Sequence, residues 1–259
     1  MAIAFVTGQK ASANSTAAVA TLSVSFPAKA TPGNLLCAHA GGTNPVSFVD
    51  DDLSQFWTND IAVQDANVGG NEAWHQGNTL ACTTVTIHFT TTGAFCFIAV
   101  SEYSGAQRTS DPKDQTANQS DGGTAASATC GDVTPARSGE LCFVISRNTG
   151  VGSVGWNAPF TLLSNSGQAD ADGYYVQPLA AAIHADANDT GATHWHVGIV
   201  TFLAALDATR HMPKGMRGPL VRFKMPRAQT TPDSIVAAVT FDPAVIAAID
   251  RPRQDIIFD

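Results

Sequence analysis

In Thr84-Val-Thr-Ile-His-Phe the apolar side chains of Val85, Ile87 and Phe89 alternate with Thr84, Thr86 and His88. Successive side chains of a strand point to opposite faces of the sheet, so this period of two predicts a half-buried strand. Thr21-Leu-Ser-Val-Ser-Phe alternates in the same way. Turn signals stand between such runs at Pro32-Gly33, Thr92-Gly93, Asp121-Gly-Gly, Asp172-Gly173 and Thr190-Gly191. No helical stripe precedes Leu206. The pattern predicts an all-β chain built of antiparallel β-sandwiches, jelly-roll or immunoglobulin-like. Two runs, Phe95 to Val100 and Trp195 to Leu206, are apolar on both faces. An antiparallel sheet with one wet face should alternate, so protein covers both faces here. The cover is either the other half of the chain or another subunit.

Blocks of sequence recur in order about one hundred residues apart. Gly33-Asn-Leu-Leu-Cys-Ala-His-Ala aligns with Gly139-Glu-Leu-Cys-Phe-Val-Ile-Ser, and Phe56-Trp-Thr with Pro159-Phe-Thr. Ala73-Trp74 aligns with Tyr174-Tyr175, and Phe95-Cys-Phe-Ile-Ala-Val-Ser with Trp195-His-Val-Gly-Ile-Val-Thr. A period of this length predicts two tandem duplicated domains, residues 1–107 and 108–206, rather than a solenoid.

The remaining residues, 207–259, differ in composition. They hold six of the 13 prolines and 8 of the 14 basic residues. Residues 1–206 carry a formal charge of −10 and residues 207–259 a charge of +2. Arg210, Lys214, Arg217, Arg222, Lys224 and Arg227 lie in one stretch without an acid. Thr231-Pro232 and Asp242-Pro243 each open a short helical run, and segments so short need a surface to lie on. The region is expected to be an extended arm that binds a partner through those six cations. With one aromatic in the stretch and an acidic body behind it, the pattern favours an acidic protein surface over nucleic acid.

Only 14% of the 259 residues are charged, against about 25% in an average soluble domain. No run of roughly 18 to 20 apolar residues is present, which excludes a membrane helix. Met1 to Val6 lacks the cationic start of a secretory signal. Cys37, Cys82, Cys96, Cys130 and Cys142 are odd in number and show no CxxC spacing. A hairpin centred near Thr92 would set Cys96 opposite His88, not Cys82. Buried free thiols in a reducing compartment are therefore expected.

The chemistry-bearing residues point to no reaction. His194 and His196 share a strand face and could converge on an ion, but a third ligand is missing, with His88 and His184 only guesses. Asp50-Asp51-Asp52 and Asp170-Ala-Asp172-Gly173 fail the spacing of a calcium loop and read as solvated turn acids. Gly122-Gly123 and Gly150-Val-Gly152 follow no phosphate-binding pattern. Glu72, Glu102 and Glu140 have no context that pairs them as a glycosidase requires, and GxSxG is absent. No catalytic residue, metal ligand or cofactor is expected. Trp57 and Trp156, near loops or strand edges, could stack on a sugar ring.

Pro32-Gly-Asn-Leu-Leu, the aromatic-Thr strands at Trp57-Thr58 and Phe160-Thr161, and Ala99-Val-Ser-Glu-Tyr-Ser-Gly together resemble a family of β-sandwich domains. These domains occur in bacteriophage structural proteins and bacterial surface proteins. The resemblance covers residues 1–206, more weakly in the second half, and leaves out the tail. It implies a virion or surface scaffold role and brings no catalytic residues. With the low charge, the missing signal and the lack of an active-site pattern, a virion structural protein made in the host cytoplasm, and no enzyme, is expected. Within that class a capsid decoration, or cement, protein is expected, a homo-oligomer such as a trimer whose arm grips the major capsid protein or a neighbouring copy. The alternative is a phage tail or tail-fibre protein that binds a receptor or glycan.

Overall fold

The structure, a computed structural model, describes residues 2–120, 128–149, 154–166, 170–189 and 194–206. The arm with its six cations and short helices lies outside the described residues. So do the turn signals at Asp121 and Thr190 and the Gly122-Gly123 and Gly150–Gly152 stretches.

The described residues form sixteen strands and no helix. The first eight are β1 (Ala4–Ser15), β2 (Val19–Ser25), β3 (Leu35–Gly42), β4 (Val46–Asp51), β5 (Thr58–Asp65), β6 (Gly69–Gln76), β7 (Thr84–Gly93) and β8 (Cys96–Ser104). The next are β9 (Lys113–Ser120), β10 (Ala128–Thr129), β11 (Glu140–Asn148), β12 (Val154–Trp156), β13 (Thr161–Asn165), β14 (Asp170–Gln177), β15 (Asp186–Asp189) and β16 (Trp195–Phe202).

Pairing is antiparallel and nested. Strand β1 pairs with β8, β2 with β7 and β3 with β6, while Asp50 of β4 bridges Phe56 just ahead of β5. The result is a five-stranded sheet, β1-β8-β3-β6-β5, and a three-stranded sheet, β2-β7-β4. The same order recurs eight strands later as β9-β16-β11-β14-β13 and β10-β15-β12. Strands β7 and β8 therefore belong to different sheets. Thr92-Gly93 carries the chain from one sheet to the other and does not close a hairpin, so His88 faces Thr21 and Phe48, not Cys96. Asp172-Gly173 is no turn either, since both residues lie inside β14.

Three apolar clusters join the sheets in the order three, five, five, three strands. The first places Val24, Val85, Ile87 and Phe89 against Leu36, Ala38, Trp74, Ile98 and Val100. The third places Ala128, Val154 and Ala187 against Cys142, Val144, Val197 and Ile199. The middle cluster is the seam between the two five-stranded sheets, where Leu35, Cys37, Ile61 and Tyr103 meet Leu141, Phe143, Ile145 and Phe202. Strand β16 is buried at every residue and β8 at all but its last. The other half of the chain thus covers their second face. All five cysteines are buried free thiols.

Register relates the halves residue by residue. Leu35 lies opposite Tyr103 and Leu141 opposite Phe202, and all four point into the seam. By position, then, Tyr103 corresponds to Phe202, Phe97 to His196 and Glu102 to Thr201. The sequence alignment of this strand is off by one residue, and a one-residue slip sends every side chain to the wrong face. His196 therefore belongs to the seam rather than to the position of Cys96. Gly173 of β14, opposite Val144, takes the place that Trp74 of β6 takes opposite Ala38. Trp156 from β12 fills the vacancy: a Cβ on Gly173 would lie 2.7 Å from its indole.

Candidate adhesion surface and the polar seam

The seam is apolar at its centre and polar along its edges. Arg147 on β11 is buried there and reaches across to the first half, donating from Nε to Val68 O (2.8 Å) and from Nη2 to Phe95 O (3.2 Å). Its Nη1 pairs with the buried Asp170 Oδ1 at 3.0 Å. Room for the guanidinium comes from Gly41, the residue that corresponds to Arg147 in the first half. A Cβ at Gly41 would lie 2.6 Å from Nη1.

Beside it runs a chain of neutral hydrogen bonds. His39 Nε2 bonds Asn71 Oδ1 at 2.6 Å, and Asn71 Nδ2 bonds His196 Nδ1. The amide fixes the tautomers: His39 donates through Nε2, and His196 accepts at Nδ1. Burial pushes the His39 imidazole down to about 3 and the His196 imidazole to about 4. Desolvation keeps both rings neutral, and on His196 a proton at Nδ1 would also break the bond from Asn71. A depressed histidine pKa supplies stability above pH 6.5 that is lost as pH falls toward the folded values, roughly 2–3 kcal/mol per ring by pH 4.5. In an NMR titration the ring resonances of both are expected to stay constant from pH 8 to pH 5. A midpoint near 6.5 for either would disprove the buried, neutral network.

At the other edge, His75 Nδ1 bonds Asp60 Oδ2 at 2.7 Å, and Lys113 of the second half pairs with Asp60 Oδ1 at 3.2 Å. Cys37 lies opposite His75 in register, so thiol, imidazole and carboxylate occur in the order of a nucleophilic triad. Burial, with the charges of Asp60 and Asp172, pushes the Cys37 thiol well above its usual range. A thiol held protonated in this way is no nucleophile. Asp172 is also fully buried, and burial pushes it up to about 7 against the opposing pull of hydrogen bonds from Ser164.

The other sequence-named groups are held singly. Asp170 and Asp172, expected as solvated turn acids, are strand residues buried in and beside the seam, because β14 continues through them. Glu102 accepts from Thr31 N, Asn34 Nδ2 and Gln9 Nε2. Glu72 accepts from Val46 N, Asn59 Nδ2 and Trp74 Nε1. His88 bonds Asp50, and His184 bonds Asp132. Among the described residues, no three His, Cys, Asp or Glu side chains gather closely enough to hold a metal ion.

Trp57 is only 5% exposed: it turns into the first apolar cluster, where its face is closed to a sugar. Trp156 is half-buried over Gly173 and beside Phe160. The exposed aromatics lie elsewhere. Half of the eight exposed large apolar side chains among the described residues are Phe48, Leu53, Phe56 and Leu80, on β4 and two loops that adjoin it. Phe56 is 71% and Leu80 52% exposed. Phe48 stacks on His88, ring centres 4.0 Å apart and 14° from parallel, and Phe56 stands 6.0 Å from Phe48.

These loops are fastened. The buried Asp51 accepts from Leu53 N (2.9 Å) and Gln55 N (3.1 Å) through Oδ1, and its carbonyl from Ser54 N (2.8 Å). Gln55 Oε1 accepts from Leu80 N at 2.9 Å and ties the first loop to the second. Asp52 Oδ1 accepts from Thr83 N and Thr84 N at 2.8 and 3.2 Å. Ser54 and Asn78 hold φ of 60° and 52°, two residues before Phe56 and Leu80. The left-handed region costs a non-glycine residue about 1–2 kcal/mol and persists where the surroundings enforce it. Sequence reading missed this cluster because Phe48, Leu53 and Leu80 follow no period. Only the fold makes neighbours of the two loops.

No protein-family model, curated protein or solved structure matches the chain.

Proposed function

We propose that the chain is a bacteriophage virion protein, a capsid decoration protein that acts by adhesion rather than by catalysis. The observation that carries this reading is the fastened cluster of Phe48, Leu53, Phe56 and Leu80 on the outside of a cross-linked β block. Apolar groups held rigid in the binding geometry lose little entropy on docking, which is what a surface built for lasting contact needs. The nested pairing supports two jelly-roll β-sandwiches, since a long antiparallel hairpin rolled up gives the order β1-β8-β3-β6 beside β2-β7-β4. Its recurrence eight strands later supports an origin by duplication. The sandwiches sit back to back in one subunit, and the subunits form a small homo-oligomer such as a trimer on the major capsid protein. Residues 207–259 are the arm that completes the grip.

The tail-fibre reading keeps Trp156 but loses the Trp57 part of its stacking platform. The test is association with purified particles. The full chain is expected to co-sediment with them at structural stoichiometry. Deletion of residues 210–259 is expected to leave the thermal unfolding of the body unchanged and to abolish co-sedimentation. Undiminished binding of the truncated chain would refute the arm, and absence of the full chain from the particles would refute the virion assignment.

A further inference from the structure

The cluster around Phe56 also carries information about the charge of what it meets. Between Lys29 and Arg108 the sequence has no Lys or Arg and seven Asp or Glu. The strand and loops that build the cluster therefore contribute no cation of their own. Two of those acids stand among the apolar groups. Asp50 bonds the His88 ring on which Phe48 stacks, and Asp52 is exposed on the loop that carries Leu53 and Phe56. Both are bonded to donors within the protein, yet neither faces a Lys or Arg in an ion pair among the described residues. Their charge is left to be met from outside.

From this we infer that the cluster is a docking site for an extended protein segment that presents apolar side chains flanked by Lys or Arg. The apolar groups fill the space over Phe48, Phe56, Leu53 and Leu80, and the flanking cations pair with Asp50 and Asp52. Polyanions such as nucleic acid or an anionic lipid surface meet like charge here, and like charge at an interface discriminates against the wrong partner. The inference rests on the adhesive reading of this cluster and adds the chemical class of its partner.

The test measures equilibrium binding of the full chain to three labelled synthetic peptides of equal length. One alternates Lys with Phe and Leu, the second has Glu in place of Lys, and the third has Ser in place of Phe and Leu. The Lys-apolar peptide is expected to bind at least tenfold more tightly than either of the others, and more weakly as salt rises. Phe56→Ser and Leu80→Ser are each expected to weaken it at least fivefold. Asp50→Asn with Asp52→Asn should abolish the preference for Lys over Glu, and Asn keeps the Oδ1 acceptor that the loop uses. Thermal unfolding of each variant shows that the fold is intact. Equal affinity for the Lys and Glu peptides overturns the charge assignment and leaves the adhesive reading standing. Binding untouched by Phe56→Ser overturns the site, and the adhesive reading with it.

Discussion

Arg147→Met is expected to destabilise the protein by about 3–5 kcal/mol, the cost of breaking a buried ion pair from one side. The arginine holds three groups at once: the carbonyls of Val68 and Phe95 and the carboxylate of Asp170. Methionine fills much of its volume but leaves Asp170 charged and buried without its guanidinium. The double variant Arg147→Met with Asp170→Leu removes that stranded charge and should recover roughly 2 kcal/mol of the loss. The two carbonyls stay unsatisfied, so recovery is incomplete. Urea unfolding of the three variants checks both numbers. A double variant no more stable than Arg147→Met would show that the ion pair is not what the arginine supplies. The pairing with Gly41 sharpens the point, because any side chain at Gly41 enters the space of the guanidinium.

Asp172→Asn is expected to do the opposite and stabilise the protein at pH 8. The folded state raises this carboxyl from 3.8 to about 7, with burial as the leading cause. A group so raised holds its proton more tightly folded than unfolded. Its contribution is favourable below about pH 4 and is lost as pH rises through 7. At pH 8 the folded state carries nearly the whole burial cost of the charge, roughly 4 kcal/mol. Asparagine is neutral throughout, so its advantage should reach that size at pH 8 and vanish near pH 3.5. Unfolding free energies of both proteins at the two pH values decide it. An advantage of equal size at both would mean that the carboxyl is not raised.

Much of the fold was legible in the chain. The alternation of Val85, Ile87 and Phe89 with polar partners appears as a strand with one buried face. Of the runs without alternation, Phe95 to Val100 and Trp195 to Leu206, the parts within β8 and β16 are covered on both sides, while Phe95 and Leu206 at their ends are exposed. The recurring blocks anticipated the repeated strand order. The errors came where a local signal had two meanings. Gly173 looked like a turn residue but is the space for Trp156, and Thr92-Gly93 looked like a hairpin but joins two sheets. The exposed apolar cluster was illegible for a related reason: its members come from β4 and from two loops that Gln55 and Asp52 tie together.

Periodicity and composition by themselves determined that this protein is all-β, with cysteines buried as thiols and central strands hidden on both faces. Those properties follow from which side chains avoid water, and that is written residue by residue. Only the tertiary structure decided that the two halves cover each other and that Arg147 answers Gly41. It also decided that Phe48 and Phe56 stay outside while Trp57 goes in. Each of these depends on register and on contacts between distant strands. A shift of one residue reverses a side chain's face while leaving the pattern of apolar and polar letters almost unchanged.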